Sequence, residues 1–242
     1  MDKLLEMKDR GEKGLFTLLD PDKFPPEKIL DCALQAEGAG AAGILAGGSL
    51  LDGQIFDRAL ELMQEKLNIP LVIFPGGCSQ VSRYADAILF ISLITGRNPQ
   101  YLIGEHITAA PIIRRLGLEA IATGYMLIDG GNTTAIEFIS DTKPLPRNQI
   151  SIAAAHAIAA EMLGMRLVYL EAGSGAVHPV PPDMIAAVRE CVDIPLIVGG
   201  GIRTGEQAEA AARAGADFIV VGNALEKSGD DCLLRELVEA VK

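Results

Sequence analysis

Short β-rich runs alternate with helical stretches from one end of this chain to the other, the pattern of strands that are linked by crossover helices in a parallel sheet. Strands are predicted at Leu15 to Leu19, Gly43 to Ala46, Leu71 to Phe74, Ala87 to Ile91, Ala120 to Met126, Leu167 to Leu170, Leu196 to Val198 and Phe218 to Val221. Helical stretches fall near Pro26 to Glu37, Gln54 to Leu67, Pro99 to Leu116, Gln149 to Leu163, Pro182 to Cys191, Gly205 to Ala214 and Leu233 to Val241. The third connection, around Gly76 to Tyr84, is too short and glycine-rich for a good helix, so the third helix is expected to be short or missing.

Eight such units without a charged or Pro/Ser-rich linker predict an α/β chain closed into a (β/α)8 TIM barrel, one domain spanning residues 1–242. An open, doubly wound sheet is the alternative. Four helix-to-strand passages share a phrase that ends in small residues: EGAGAAGILAGG, LNIPLVIFPGG, VDIPLIVGGG and RAGADFIVVGN. A strand needs such an ending when its C-terminal end opens onto a ligand. The composition suits aliphatic strands wrapped by Ala-rich helices: 49% hydrophobic, 5% aromatic, 26 glycines and no tryptophan.

Charge and cysteine usage remove several function classes. A net charge of −11 leaves no basic field for nucleic-acid phosphates. Cys32, Cys78, Cys191 and Cys232 show no CxxC spacing, which indicates reduced thiols rather than a zinc site or disulfide framework. The segment MDKLLEMKDRGEKG has no apolar leader-like region, and no apolar run approaches the ~18 residues that span a bilayer. A cytoplasmic protein is expected, with any membrane contact peripheral through an exposed apolar rim. Ala-rich stretches such as Ile152 to Leu163 offer flat apolar faces for a homo-oligomer.

In a barrel the loops after the strands hold the ligand. After the seventh predicted strand come Gly199, Gly200, Gly201, Ile202, Arg203 and Thr204, and after the eighth Gly222, Asn223, Ala224 and Leu225. Such glycines let backbone N–H groups approach an anion, and a short helix after Gly222-Asn223 would aim its positive end at the same point, so a phosphate is expected there. The sixth strand ends in Tyr169, Leu170, Glu171, Ala172, Gly173, Ser174 and Gly175. Its carboxylate is placed to bind or deprotonate a substrate hydroxyl beside the phosphate. Asp20 after the first strand and Ser49 after the second are hard oxygen ligands of the kind Mg²⁺ takes, although Asp20 before Pro21 equally suits a turn. The Ile128 to Asn148 stretch after the fifth strand is long enough to be read as functional. His106, His156 and His178 stand at no predicted strand end and read as surface or helix-packing residues.

Taken together, FTLLDPDK, GILAGGS, ATGYMLIDGGNTT, YLEAGSGA, VGGGIRT and VGNALEK resemble the geranylgeranylglyceryl phosphate synthase family over the whole barrel. The pairing of LDPDK with YLEAGSG is the most specific part. The resemblance implies an Mg²⁺-dependent prenyltransferase that joins sn-glycerol 1-phosphate to geranylgeranyl diphosphate in ether lipid synthesis, with a longer polyprenyl donor as a variant. It implies Mg²⁺ on Asp20 and Ser49. Glycerol phosphate would lie on Tyr169 to Gly175, Gly200 with Gly201, and Gly222 with Asn223. Glu171 and Tyr125 are the candidate catalytic residues, and Tyr125, Met126 and Ile128 the candidates to line the prenyl groove. Leu18 and Leu19 stand where one branch of the family carries a lysine before LDPD, which is similar to the other branch. The rival readings are a phosphosugar isomerase or lyase on the same barrel, disfavoured by the lack of a lysine in the mouth, and a barrel that only binds a phosphorylated metabolite.

Overall fold

A computed structural model describes residues 1–48, 53–222 and 231–242. The strands β1 (Gly14–Leu19), β2 (Gly43–Ala46), β3 (Leu71–Ile73), β4 (Ala87–Leu93), β5 (Glu119–Leu127), β6 (Leu167–Glu171), β7 (Leu196–Gly199) and β8 (Phe218–Val221) pair in parallel in chain order, and β8 closes onto β1. The helices are α1 (Asp2–Asp9), α2 (Pro26–Ala39), α3 (Gly53–Lys66), α4 (Glu105–Leu116), α5 (Ala135–Ser140), α6 (Ile150–Met162), α7 (Pro182–Arg189), α8 (Gly205–Arg213) and α9 (Asp231–Val241). A π-helical turn at Gln100–Gly104 leads into α4.

Strand periodicity sorts the side chains into two layers. Phe16, Leu45, Val72, Tyr125, Tyr169, Ile197 and Phe218 form the cluster inside the barrel, where Phe16 meets Phe218 edge to face at 5.7 Å. Their neighbours along the same strands, among them Ile44, Met126, Val168, Leu170, Val198 and Ile219, face the helices. Full burial of such a side chain contributes about 1.5–3 kcal/mol, so both layers resist a register slip that would exchange them.

The barrel predicted from the alternation is the one observed. Residues 74–86, between β3 and β4, form turns and bends with no helix, as expected from their composition. Two helices were not anticipated. In α1, Met1 and Leu4 join the interior cluster and close the N-terminal end of the barrel. The segment is otherwise charged, so its periodicity is weak and docking holds it. Helix α5 has only six residues inside the long β5–α6 connection, too few for a periodic signal.

Candidate active site

The C-terminal strand ends open into a chamber of about 230 Å³. One side is polar, with Asp20, Glu171, Gly173, Gly200, Gly201 and Arg203; the other is apolar, with Phe74, Phe90, Tyr101, Ala109, Ile113 and Ile136.

Glu171 stands at the junction. As the last residue of β6 it points inward, in register with Leu127 of β5 and Gly199 of β7. It is 6% exposed, and its Oε1 accepts the Gly173 N–H at 2.6 Å. Burial pushes its carboxyl up to about 7, against the pull of the Gly173 N–H and the Tyr169 hydroxyl toward the charged form. Tyr169 and Tyr125 are register partners with ring centroids 5.2 Å apart, and Phe74 lies 5.5 Å from Tyr169 and 6.0 Å from Tyr125. This aromatic floor is dry. Burial, and next the Glu171 charge, raise both phenols well above their usual range. The buried Tyr169 hydroxyl faces the carboxylate, yet makes no hydrogen bond of normal geometry among the described residues, which leaves it able to serve a ligand.

Two glycines explain how these groups converge. A Cβ on Gly199 would lie 2.5 Å from Tyr169 Oη and 3.0 Å from Glu171 Oε2. A Cβ on Gly200 (φ 81°) would lie 2.3 Å from Glu171 Oε1 and 2.6 Å from the Gly173 nitrogen. No side chain fits at either point. Left-handed residues at Gly173, Gly175, Gly200 and Gly201 turn successive backbone N–H groups toward one side, which is an anion cradle. Arg203 binds the carbonyls of Ala176 and Val177 and so joins the β6 and β7 loops. Thr204 caps α8 by accepting the Gln207 N–H at 3.3 Å.

On the facing wall Asp20 follows β1, with Oδ1 accepting the Asp22 N–H at 3.2 Å and Oδ2 lying 3.7 Å from Lys23 Nζ. Gln80, buried in the helix-free β3–β4 connection, donates to the Gly48 carbonyl and accepts from the Gly76 N–H, each at 2.8 Å. It thereby holds the ends of β2 and β3 at a fixed spacing.

The apolar side owes its shape to the missing third helix. Loop 74–86 covers β4 only loosely, and α4 stands off to leave Ile88, Phe90, Ala109 and Ile113 lining the chamber. Glu105 staples the two together, accepting from the Cys78 N–H and from Gln100, each at 2.6 Å. His106 lies edge-on to Phe90 at 4.3 Å with Nε2 3.3 Å from Ser92 Oγ. Burial lowers its pKa, so it is neutral at pH 7 and packs the helix, as expected of it.

The structure brings together Asp20, Tyr125, Tyr169, Glu171, Gly173, Ser174, Gly175, Gly200, Gly201 and Gly222 from the predicted set. Leu170 and Ala172 are fully buried in the layer facing the helices, so their side chains do not reach the chamber. Met126 and Ile128 lie in that same layer, each 0% exposed, which corrects their assignment to the prenyl groove. The correction follows from the two-residue period: Tyr125 points inward, so residues 126 and 128 point outward. Ser49 and Asn223, and the short helix expected after Asn223, lie outside the described residues. Sequence reasoning missed Phe74, Phe90, Ala109, Ile113 and Ile136; the glycine-rich connection in place of a helix was the available signal.

Fold and site together define a phosphate-binding (β/α)8 barrel that can hold a polar and an apolar ligand side by side. The PcrB family model matches residues 7–241, and the chain belongs to this family. It is 47% identical to the geranylgeranylglyceryl phosphate synthase of Chitinophaga pinensis over 98% of this chain and 93% of that protein. The synthase of the same name from Thermococcus kodakarensis is 48% identical over 94% and 90% of the two chains. Among solved structures, the (S)-3-O-geranylgeranylglyceryl phosphate synthase of Thermoplasma acidophilum, in complex with sn-glycerol-1-phosphate, superposes with a TM-score of 0.94 at 37% identity, covering 100% of this chain and 97% of that one.

Proposed function

We propose that this chain is a prenyltransferase that joins sn-glycerol 1-phosphate to geranylgeranyl diphosphate and releases diphosphate. The observation that carries this reading is Glu171, a buried carboxylate set between an anion cradle and an apolar lobe of one chamber.

In this reading the glycine cradle binds the phosphate of the acceptor, and Tyr169 and Glu171 orient its free hydroxyl. The hydroxyl oxygen forms a bond to the first carbon of the prenyl chain as that carbon's bond to the diphosphate oxygen breaks. The hydroxyl proton passes to Glu171, whose pKa near 7 suits a base that must later release it. Holding both reactants in contact supplies up to ~7–11 kcal/mol in favourable cases. The prenyl tail takes the apolar lobe over β4, where each buried CH₂ contributes roughly 0.8 kcal/mol. The aromatic floor of Phe74, Tyr125 and Tyr169 excludes water from the reacting carbon.

Asp20 fits an Mg²⁺ ion, with Ser49 of the next strand end as its companion. A single carboxylate at the mouth suits a metal that keeps several waters and shares its remaining positions with substrate phosphates. When bound, Mg²⁺ neutralises charge on the departing diphosphate. No helix among the described residues is long and apolar enough to cross a membrane. Ile103 and Phe138, 54% and 81% exposed on elements that border the chamber, support peripheral contact with a lipid surface by a cytoplasmic enzyme.

The test is turnover of labelled geranylgeranyl diphosphate with sn-glycerol 1-phosphate, with sn-glycerol 3-phosphate, and without Mg²⁺, scoring lipid-extractable ether product. Product only with the 1-phosphate and metal is expected. Absence of product under every condition, longer prenyl donors included, overturns the proposal.

A further inference from the structure

We propose that the outer face of α6 is the surface through which two copies of this chain pair, antiparallel, about a two-fold axis. The helix, ISIAAAHAIAAEM, is apolar on every side. Ala153, Ala157 and Ala160 face the barrel. Ile152, Ala155, Ala159 and Met162 face outward, with Met162 83% exposed and the following Leu163 75% exposed. A helix whose outer side meets water carries polar residues there, as α8 does with Glu206 and Arg213. Apolar residues all round mark a helix covered on both sides.

The order of the outward residues selects the partner. Along the helix they run large, small, small, large, and they are symmetric about position 157: 152 and 162 lie equally far from it, as do 155 and 159. In an antiparallel pair centred there, Ile152 meets Met162 of the partner subunit and Ala155 meets Ala159 of the partner subunit. Both contacts recur by the two-fold, the self-complementarity that an isologous interface requires. The small central pair lets the axes approach to the low end of the usual 8–10 Å range while the large residues close over the ends.

Charge points the same way. The chain carries −11 overall, so two copies repel, yet residues 150–160 contain no Asp, Glu, Lys or Arg. Glu161 is turned toward the α7–β7 connection, where it accepts the Asp193 and Ile194 N–H groups at 2.8 and 3.2 Å. His156 is tied by Nδ1 to the Ile152 carbonyl at 2.8 Å. A helix that lay on lipid would instead flank its bulky anchors with Lys and Arg. Residues 150–160 have neither cation, and their centre is alanine.

Sedimentation at tens of micromolar should give a dimer or an even multiple of it. Ala155→Arg and Ala159→Arg, each checked by circular dichroism for intact fold, should halve that mass. Register is read by crosslinking in a Cys191→Ser, Cys232→Ser background. The pair Ala155→Cys with Ala159→Cys should form a covalent dimer under mild oxidant. Either cysteine alone should react at least about tenfold more slowly, because like positions are offset by roughly 6 Å along the axis. A monomeric wild type, an unchanged mass in both arginine variants, or equal crosslinking by the single cysteines overturns the proposal.

Discussion

Replacing Glu171 with Gln separates what the buried carboxylate contributes to chemistry from what it costs in stability. The amide matches the carboxylate in size and keeps an oxygen for the Gly173 N–H, bonded at 2.6 Å, so the cradle should persist. The charge and the proton acceptor go. Loss of a positioned general base lowers kcat by about 10²–10⁴-fold. Stability should move the other way. Burial raises this carboxyl from 4.5 to about 7, so the folded protein holds a proton that the unfolded chain releases between those values. Stability is therefore lost as pH rises through this window, by about 3 kcal/mol once complete at 1.36 kcal/mol per tenfold. Glu171→Gln, neutral at all pH, escapes that loss. At 2–4 °C per kcal/mol for a chain of this size, its Tm should exceed the wild-type value by roughly 6–12 °C at pH 8, with no gap near pH 4. Calorimetry across pH 4–8 and steady-state kinetics on both proteins check the two halves. A Tm difference independent of pH refutes the assigned ionisation, and an unchanged kcat refutes the role as base.

Three further perturbations probe the other walls. Gly200→Ala forces a left-handed residue to carry a Cβ 2.3 Å from Glu171 Oε1, at about 1–2 kcal/mol of backbone strain alone; KM for glycerol phosphate should rise at least about tenfold, and an unchanged KM would falsify the cradle. Asp20→Ala should lower Mg²⁺-dependent turnover on the order of 100-fold, about 2.7 kcal/mol, while calorimetric binding of sn-glycerol 1-phosphate stays within about twofold; loss of that binding would place Asp20 on the phosphate instead. Ala109→Phe fills the apolar lobe from α4, where overpacking costs about 1–3 kcal/mol. The prenyl donor KM should rise about tenfold with acceptor binding intact, and no change would move the tail elsewhere.

The strand ends were legible because each is a local statement. A run such as LIVGGG or YLEAGSG shows in one place both the buried strand and the small or acidic residues at its mouth, and closure of the barrel guarantees that all such ends meet. Hence Asp20, Tyr169, Glu171, Gly200 and Gly222 share one chamber, as expected. The missing third helix was also local, since loop 74–86 carries too many turn-formers to propagate one.

Tertiary structure decided everything that depends on which way a residue points or on what lies across the barrel. Met126 and Ile128 follow Tyr125 closely in sequence, yet the pleat sends them to the helix layer and leaves Tyr125 on the floor. The apolar lobe draws on β3, β4, α4 and α5, four segments whose common surface no single stretch encodes. Glu171 was readable as a carboxylate at a strand end, but its pKa near 7 comes from aromatic and backbone groups of other strands that remove water around it. Sequence specifies period and turn chemistry, which are local; direction, depth and dielectric are sums over neighbours that only the closed barrel assembles.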